Sequence, residues 1–191
     1  MLKPVECDQI MGVVSQMADP STHLENYVLP GLASTLLPKG KLRMFTASRY
    51  TEEFINPHSH RFDFACLVLR GQVWNTIYKQ TQSLTNAANP WTVWEVTPVD
   101  GGLGTYKQQL LSKFSFYETQ TSCHVAGQAY SMLDKDIHSI RFSRDAVVLF
   151  IEGPPRKDHS LVLEPLNGFP DKVNTVPTFK PQPWMFQKAA N

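Results

Sequence analysis

Between Lys41 and Gly153 the chain is cut into short apolar or alternating stretches, each closed by turn-forming residues. Phe64-Ala65-Cys66-Leu67-Val68-Leu69 is nearly continuous in its apolar character and runs into Arg70-Gly71. Gln72–Tyr78 alternates, and Trp91–Val96 alternates cleanly. A period of two places alternate side chains on opposite faces of a strand. Further strands fit at 41–50, 104–111, 114–121, 128–133, 137–142 and 146–152. Gly71 reads as a hairpin turn, residues 79–90 as a polar loop, and Asp100-Gly101-Gly102 and Asp134-Lys135-Asp136 as turns. Many short strands at close spacing give a sandwich or a barrel.

The ends have a different texture. In 1–38, Cys7, Ile10, Met11, Val13, Val14 and Met17 recur at helical spacing, and Pro20 ends that stretch. Leu24, Tyr27, Val28, Leu32, Leu36 and Leu37 fit a second helix, interrupted by Pro30-Gly31. Residues 165–191 carry Pro165, Pro170, Pro177, Pro181 and Pro183. Proline cannot donate to a ladder, so an extended surface tail is expected there. Three segments follow: a helical segment over 1–38 packed on the barrel, the barrel itself over 39–164, and the proline-rich tail over 165–191.

Composition removes several function classes. Apolar residues make up 42% of the chain and charged residues 18%, so a folded core is expected. The formal net charge is +1 with no basic run, which leaves nucleic acid without the stripe of cations that phosphates require. Cys7, Cys66 and Cys123 are odd in number and irregular in spacing, which argues against a disulfide framework. The first eight residues lack the pattern of a secretory signal, and no apolar run reaches the ~20 residues that span a bilayer. The expected compartment is the cytoplasm, with no membrane partner. P-loop, GxGxxG, GxSxG and HExxH motifs do not occur.

The sharpest local signal is Asn56-Pro57-His58-Ser59-His60. Residues two apart on a strand share a face, so His58 and His60 can chelate one metal ion. About 65 residues on, Ile137-His138-Ser139-Ile140 opens a strand, and its flanking isoleucines place His138 at a sheet face. His58, His60 and His138 are the candidate metal ligands. Asp63 lies three residues after His60, an odd offset that points it away unless a bulge intervenes. It fits better as an orienting group or as a partner for Arg61 or Arg70.

These two motifs resemble those of the cupin superfamily: HxH followed by a glycine turn (His58, His60, Gly71), then a glycine turn, a strand, a short turn and a histidine (Gly127, His138). The resemblance covers roughly residues 41–155. It implies an all-β fold, a cupin-type antiparallel β-barrel (double-stranded β-helix) holding metal at its centre. The glutamate usual in the first motif is replaced here by Phe64 and Ala65. His58–Phe64 with Leu69-Arg70-Gly71 is also similar to a cupin subgroup with an HxHPWDF-like sequence.

Ala129–Asp134, His138–Ile140 and Ala146–Pro155 look like the second half of the cysteine dioxygenase family, which uses three histidines and Fe(II). Glu152 stands where that family has a tyrosine, and Cys66 is one residue away from its cross-linking cysteine position. Cys66 reads as a buried core residue. A substrate-holding arginine is open among Arg43, Arg49, Arg61, Arg70 and Arg141. The resemblance implies one divalent transition metal, Fe(II) first, with Zn, Ni, Mn or Cu also suited to imidazoles.

The leading expectation is therefore an Fe(II) dioxygenase-like enzyme acting on a small polar molecule, thiols included, with Tyr130 as a candidate catalytic residue facing the cavity. The alternatives are a non-catalytic ligand-binding or structural cupin and a metal-dependent isomerase or hydrolase. Cupins commonly pair through sheet edges, so a homodimer is expected by analogy. Cys123-His124 cannot act as a dyad, since neighbours on a strand point apart. His23 and His159 are expected near solvent. Trp74, Trp91 and Trp94 are candidates for a pocket wall.

Overall fold

The structure is a computed structural model that describes residues 1–27, 30–38, 41–49, 51–52, 56–82, 90–99 and 105–166. Helix α1 (Pro4–Met17) is followed by a 3-10 turn over Pro20–Thr22. Eleven strands come next among the described residues: β1 (Leu32–Leu36), β2 (Leu42–Ala47), β3 (Thr51–Glu52), β4 (Phe62–Arg70), β5 (Gln72–Thr81), β6 (Trp91–Val99), β7 (Thr105–Val125), β8 (Ala129–Met132), β9 (Ile137–Phe142), β10 (Val147–Pro155) and β11 (Ser160–Pro165). They form two antiparallel sheets. One has the order β1-β2-β10-β4-β8 and the other β11-β6-β7-β5-β9-β3.

From β7 onward the chain alternates between the sheets, so most neighbours in space are distant in sequence. Strand β10 pairs with both β2 and β4, and β9 pairs with β5. The sheets enclose a core built around Phe64, Cys66, Val68, Val73, Phe142 and Val148. This all-antiparallel, two-sheet architecture agrees with the all-β fold that the histidine motifs imply. Helix α1 covers the other face of the five-stranded sheet, where Cys7 and Val14 pack with Leu37, Leu69 and Leu149. No helix among the described residues is long and apolar enough to cross a membrane.

Four sequence expectations need correction. The second helix over 24–37 does not form, because Leu32–Leu36 is strand β1. Leu32, Ala33, Ser34 and Thr35 are all buried, and a run buried on both faces carries no clean period. Gly71 does not close a hairpin. Strands β4 and β5 lie in opposite sheets, and Gly71, at φ 71°, turns the corner between them. The expected strands at 104–111 and 114–121 are one 21-residue strand, β7. Its first part pairs with β6 and its second with β5. Strand β11, which was read as barrel without a strand of its own, pairs with β6 from Ser160 to Pro165. The tail expected over 165–191 thus begins inside β11, where Pro165 pairs with Trp91, and residues 167–191 lie outside the described residues.

Candidate metal centre

The HxH arm is an extended segment clamped between two strands. On one side His58 N donates to His138 O (3.0 Å) and His138 N donates to His58 O (2.9 Å). On the other, Ser59 N donates to Leu161 O (2.9 Å) and Leu163 N donates to Pro57 O (2.8 Å). Ser59 is fully buried, and its Oγ accepts from Leu161 N at 2.9 Å. With Ser59 turned to β11, the flanking His58 and His60 share the opposite face, as the spacing predicts.

The three imidazoles converge. Their ligand atoms all lie within 4.8 Å of one another. His60 Nε2 and His138 Nε2 are 3.0 Å apart. His138 Nδ1 lies 2.7 Å from Asn75 Oδ1, and Asn75 Nδ2 is turned to Met132 Sδ at 3.2 Å. Oδ1 is thus the acceptor, His138 carries its proton on Nδ1, and its Nε2 keeps a lone pair. His58 Nδ1 faces Asn56 O at 3.2 Å, which places its proton on Nδ1 and its lone pair on Nε2.

Burial keeps these rings neutral. It lowers the pKa of His58, though the Asn56 carbonyl opposes the shift. It holds His60 well below the usual range, helped by His58, His138 and Lys157. It takes His138 down to about 3, with His58 adding to the effect. Metal ligation needs neutral imidazoles. Two ligand nitrogens each about 2.1 Å from one ion and at about a right angle would stand about 3 Å apart. The donor set, its charge state and the 3.0 Å separation of His60 and His138 therefore fit a shared divalent metal ion.

The histidines form part of the wall of a cavity of about 190 Å³ between the sheets. Phe45, Phe62, Phe64 and Phe150 supply much of the remaining wall. Tyr130 also lines this space, with its hydroxyl buried and the Cys66 thiol on the same cavity wall. Of the five candidate arginines, Arg43 alone lines the cavity. Arg141 lies over Trp74 at 5.6 Å, Arg49 donates to Pro30 O, and Arg70 is exposed.

Other candidates fall elsewhere. Asp63 is not a ligand and pairs with neither Arg61 nor Arg70. Its Oδ2 meets Arg156 Nη2 at 2.9 Å, and its Oδ1 accepts from Asp134 N at 2.8 Å. The three tryptophans do not line the cavity. Trp91 packs edge-on against Tyr78, and Trp94 Nε1 donates to Glu164. His124 bonds to Ser122 at 2.9 Å and stacks on Tyr130, while Cys123 is exposed. His23 lies between Thr35 and Glu25, and His159 next to Asp158. Asn75, Ser59 and the seating of Arg43 were missed. Asn75 had a signal, being the polar residue in the apolar phase Val73-Asn75-Ile77.

No known protein-family profile matches the sequence. No curated protein matches it. Among solved structures, the chain is similar to the cupin domain of Drosophila melanogaster CENP-C, at 12% identity and a TM-score of 0.38 over 80% of this chain and 100% of that one. It is similar to hydroquinone 1,2-dioxygenase from Sphingomonas sp. TTNP3, at 12% identity and a TM-score of 0.36 over 76% and 72% of the two chains. Hydroquinone 1,2-dioxygenase PnpCD in complex with Cd2+ matches at 12% identity and 0.34, over 75% and 71%. These are distant likenesses, and the barrel is evident from its own strand order.

Proposed function

We propose that the protein is a metal-dependent, dioxygenase-like enzyme that holds one divalent transition metal, Fe(II) first, on His58, His60 and His138 and acts on a small molecule in the adjoining cavity. The supporting observation is the meeting of three neutral imidazoles within 4.8 Å at the wall of a largely aromatic cavity. Fe(II) held by three histidines supplies open positions at which substrate and molecular oxygen can meet.

The chain's own residues prepare that site. Asn75 fixes the His138 tautomer, and the Asn56 carbonyl does the same for His58. The phenyl walls present a low-dielectric surface, which strengthens polar contacts made against it. Tyr130 holds a proton on its hydroxyl at the cavity wall and is the candidate to donate it to bound substrate.

Elemental analysis of protein prepared without a chelating tag tests this reading, together with oxygen uptake over a broad substrate panel. Iron near one per chain and oxygen consumption are expected, both abolished in His58→Ala. Unchanged metal stoichiometry in that variant refutes the site. Metal without oxygen uptake favours a ligand-binding cupin, and turnover under anaerobic conditions or with zinc favours an isomerase or hydrolase.

A further inference from the structure

The cavity carries its charges in an unusual arrangement for so apolar a space. Its guanidinium is Arg43 and its carboxylate is Glu152. Arg43 sits directly opposite Phe150 in the β2–β10 ladder. Its Cζ lies 5.3 Å from the centre of the Tyr27 ring, and its Nη1 is 3.5 Å from the hydroxyl of the fully buried Ser34. Among the described residues, no carboxylate lies within ion-pair reach of Arg43, Glu152 included. A guanidinium held over an aromatic face and facing an apolar cavity is suited to a planar anion, which it grips in bidentate fashion.

The rings between Arg43 and the histidines form a continuous wall. Phe45 and Phe150 lie 5.5 Å apart, Phe150 and Phe64 5.0 Å, and Phe64 and His60 4.8 Å. The volume of about 190 Å³ sets the ligand's size. An apolar cavity of about 150 Å³ takes up benzene, so this one has room for a single ring and one or two small substituents. Glu152, opposite Phe64 in the β10–β4 ladder, adds a negative charge to the same space and opposes a second anionic charge on the ligand.

We infer that the cavity binds a single-ring aromatic monocarboxylate, with its carboxylate on Arg43 and its ring against Phe45, Phe64 and Phe150. The ligand's other end points toward the three histidines, and only this part rests on the metal-enzyme reading above. An apolar body replaces the small polar substrate expected from sequence.

Calorimetric titration of metal-free protein with benzoate, benzamide and phenyl phosphate tests the inference, using wild type, Arg43→Met and Arg43→Lys. Benzoate should bind wild type at least tenfold more tightly than benzamide and more tightly than phenyl phosphate. Arg43→Met should equalise benzoate and benzamide, and Arg43→Lys should keep part of the preference. Equal binding of benzoate and benzamide to wild type overturns the inference, as does a preference for phenyl phosphate or unaltered benzoate affinity in folded Arg43→Met. Should Arg43→Met not fold, the wild-type comparison with Arg43→Lys decides. A benzoate preference with no metal binding sinks the metal reading alone, and metal binding with no preference sinks this one alone.

Discussion

The Nδ1 of His138 and the Oδ1 of Asn75 lie 2.7 Å apart in a fully buried hydrogen bond. The bond fixes which nitrogen of His138 faces the cavity. Strands β5 and β9 hold the two residues in place, with Asn75 paired to Ile140 and His138 to Ile77. Replacing Asn75 with leucine keeps similar bulk but strands the Nδ1 proton. Metal affinity should fall about 10- to 100-fold, the usual cost of losing such a partner. Competition titration with a chromophoric chelator measures it, and unchanged affinity would contradict the role given to Asn75.

Metal should stabilise the fold, because the unfolded chain has no assembled site. At a free metal concentration one hundred times Kd the gain is about 2.7 kcal/mol. Stripping wild type with a chelator should therefore lower Tm, and re-adding metal should restore it. His60→Ala should show no such response in a differential scanning experiment.

Asp63 sits beside the HxH motif yet faces Arg156 and the turn at Asp134. Asp63→Ala should leave metal stoichiometry unchanged. A fall in metal content to the level of His58→Ala would restore Asp63 as a ligand.

The Ser59 hydroxyl is the acceptor for the Leu161 amide. Ser59→Ala leaves that half-buried amide unsatisfied, at a cost of about 1–3 kcal/mol. Denaturant unfolding should show the loss, and metal affinity should weaken with it because the HxH arm is no longer held to β11.

Burial pushes the Cys66 thiol up to about 12, a shift that the Tyr130 hydroxyl reduces. The folded state thus keeps a proton that the unfolded thiol releases near 9. This contribution to stability is complete below pH 9 and is lost as pH rises toward 12. Subtracting the profile of Cys66→Ala from that of wild type should isolate the slope. In thiol labelling at neutral pH, exposed Cys123 should react promptly, while Cys7 and Cys66 wait for unfolding.

Much of the barrel was legible because its strands obey simple rules. Trp91–Val96 and Gln72–Tyr78 were read as alternating, and both lie in strands. The candidate metal-holding histidines were legible because a strand spacing of two is a geometric statement. What failed was information that lives between strands. Gly71 needs the same left-handed backbone in a hairpin as in a corner, so its sequence cannot say which sheet comes next. Leu32–Leu36 is buried on both faces and so lacks the alternation that marks a strand. Arg43 was one of five candidate arginines until the β2–β10 register set it beside Phe150. Asp63 found its partner 93 residues away, in Arg156.

The clamp on the HxH arm also sets when the site can exist during synthesis. His58, His60 and His138 have all been translated before Leu161 and Leu163, whose backbones grip Ser59 and Pro57. A ribosome-bound chain that has just emerged through Phe142 therefore carries all three histidines but only one of the two strands that hold the HxH arm in place. The clamp closes only when β11 arrives, so stalled or prematurely ended chains that stop before Ser160 are born with the arm held on one side alone.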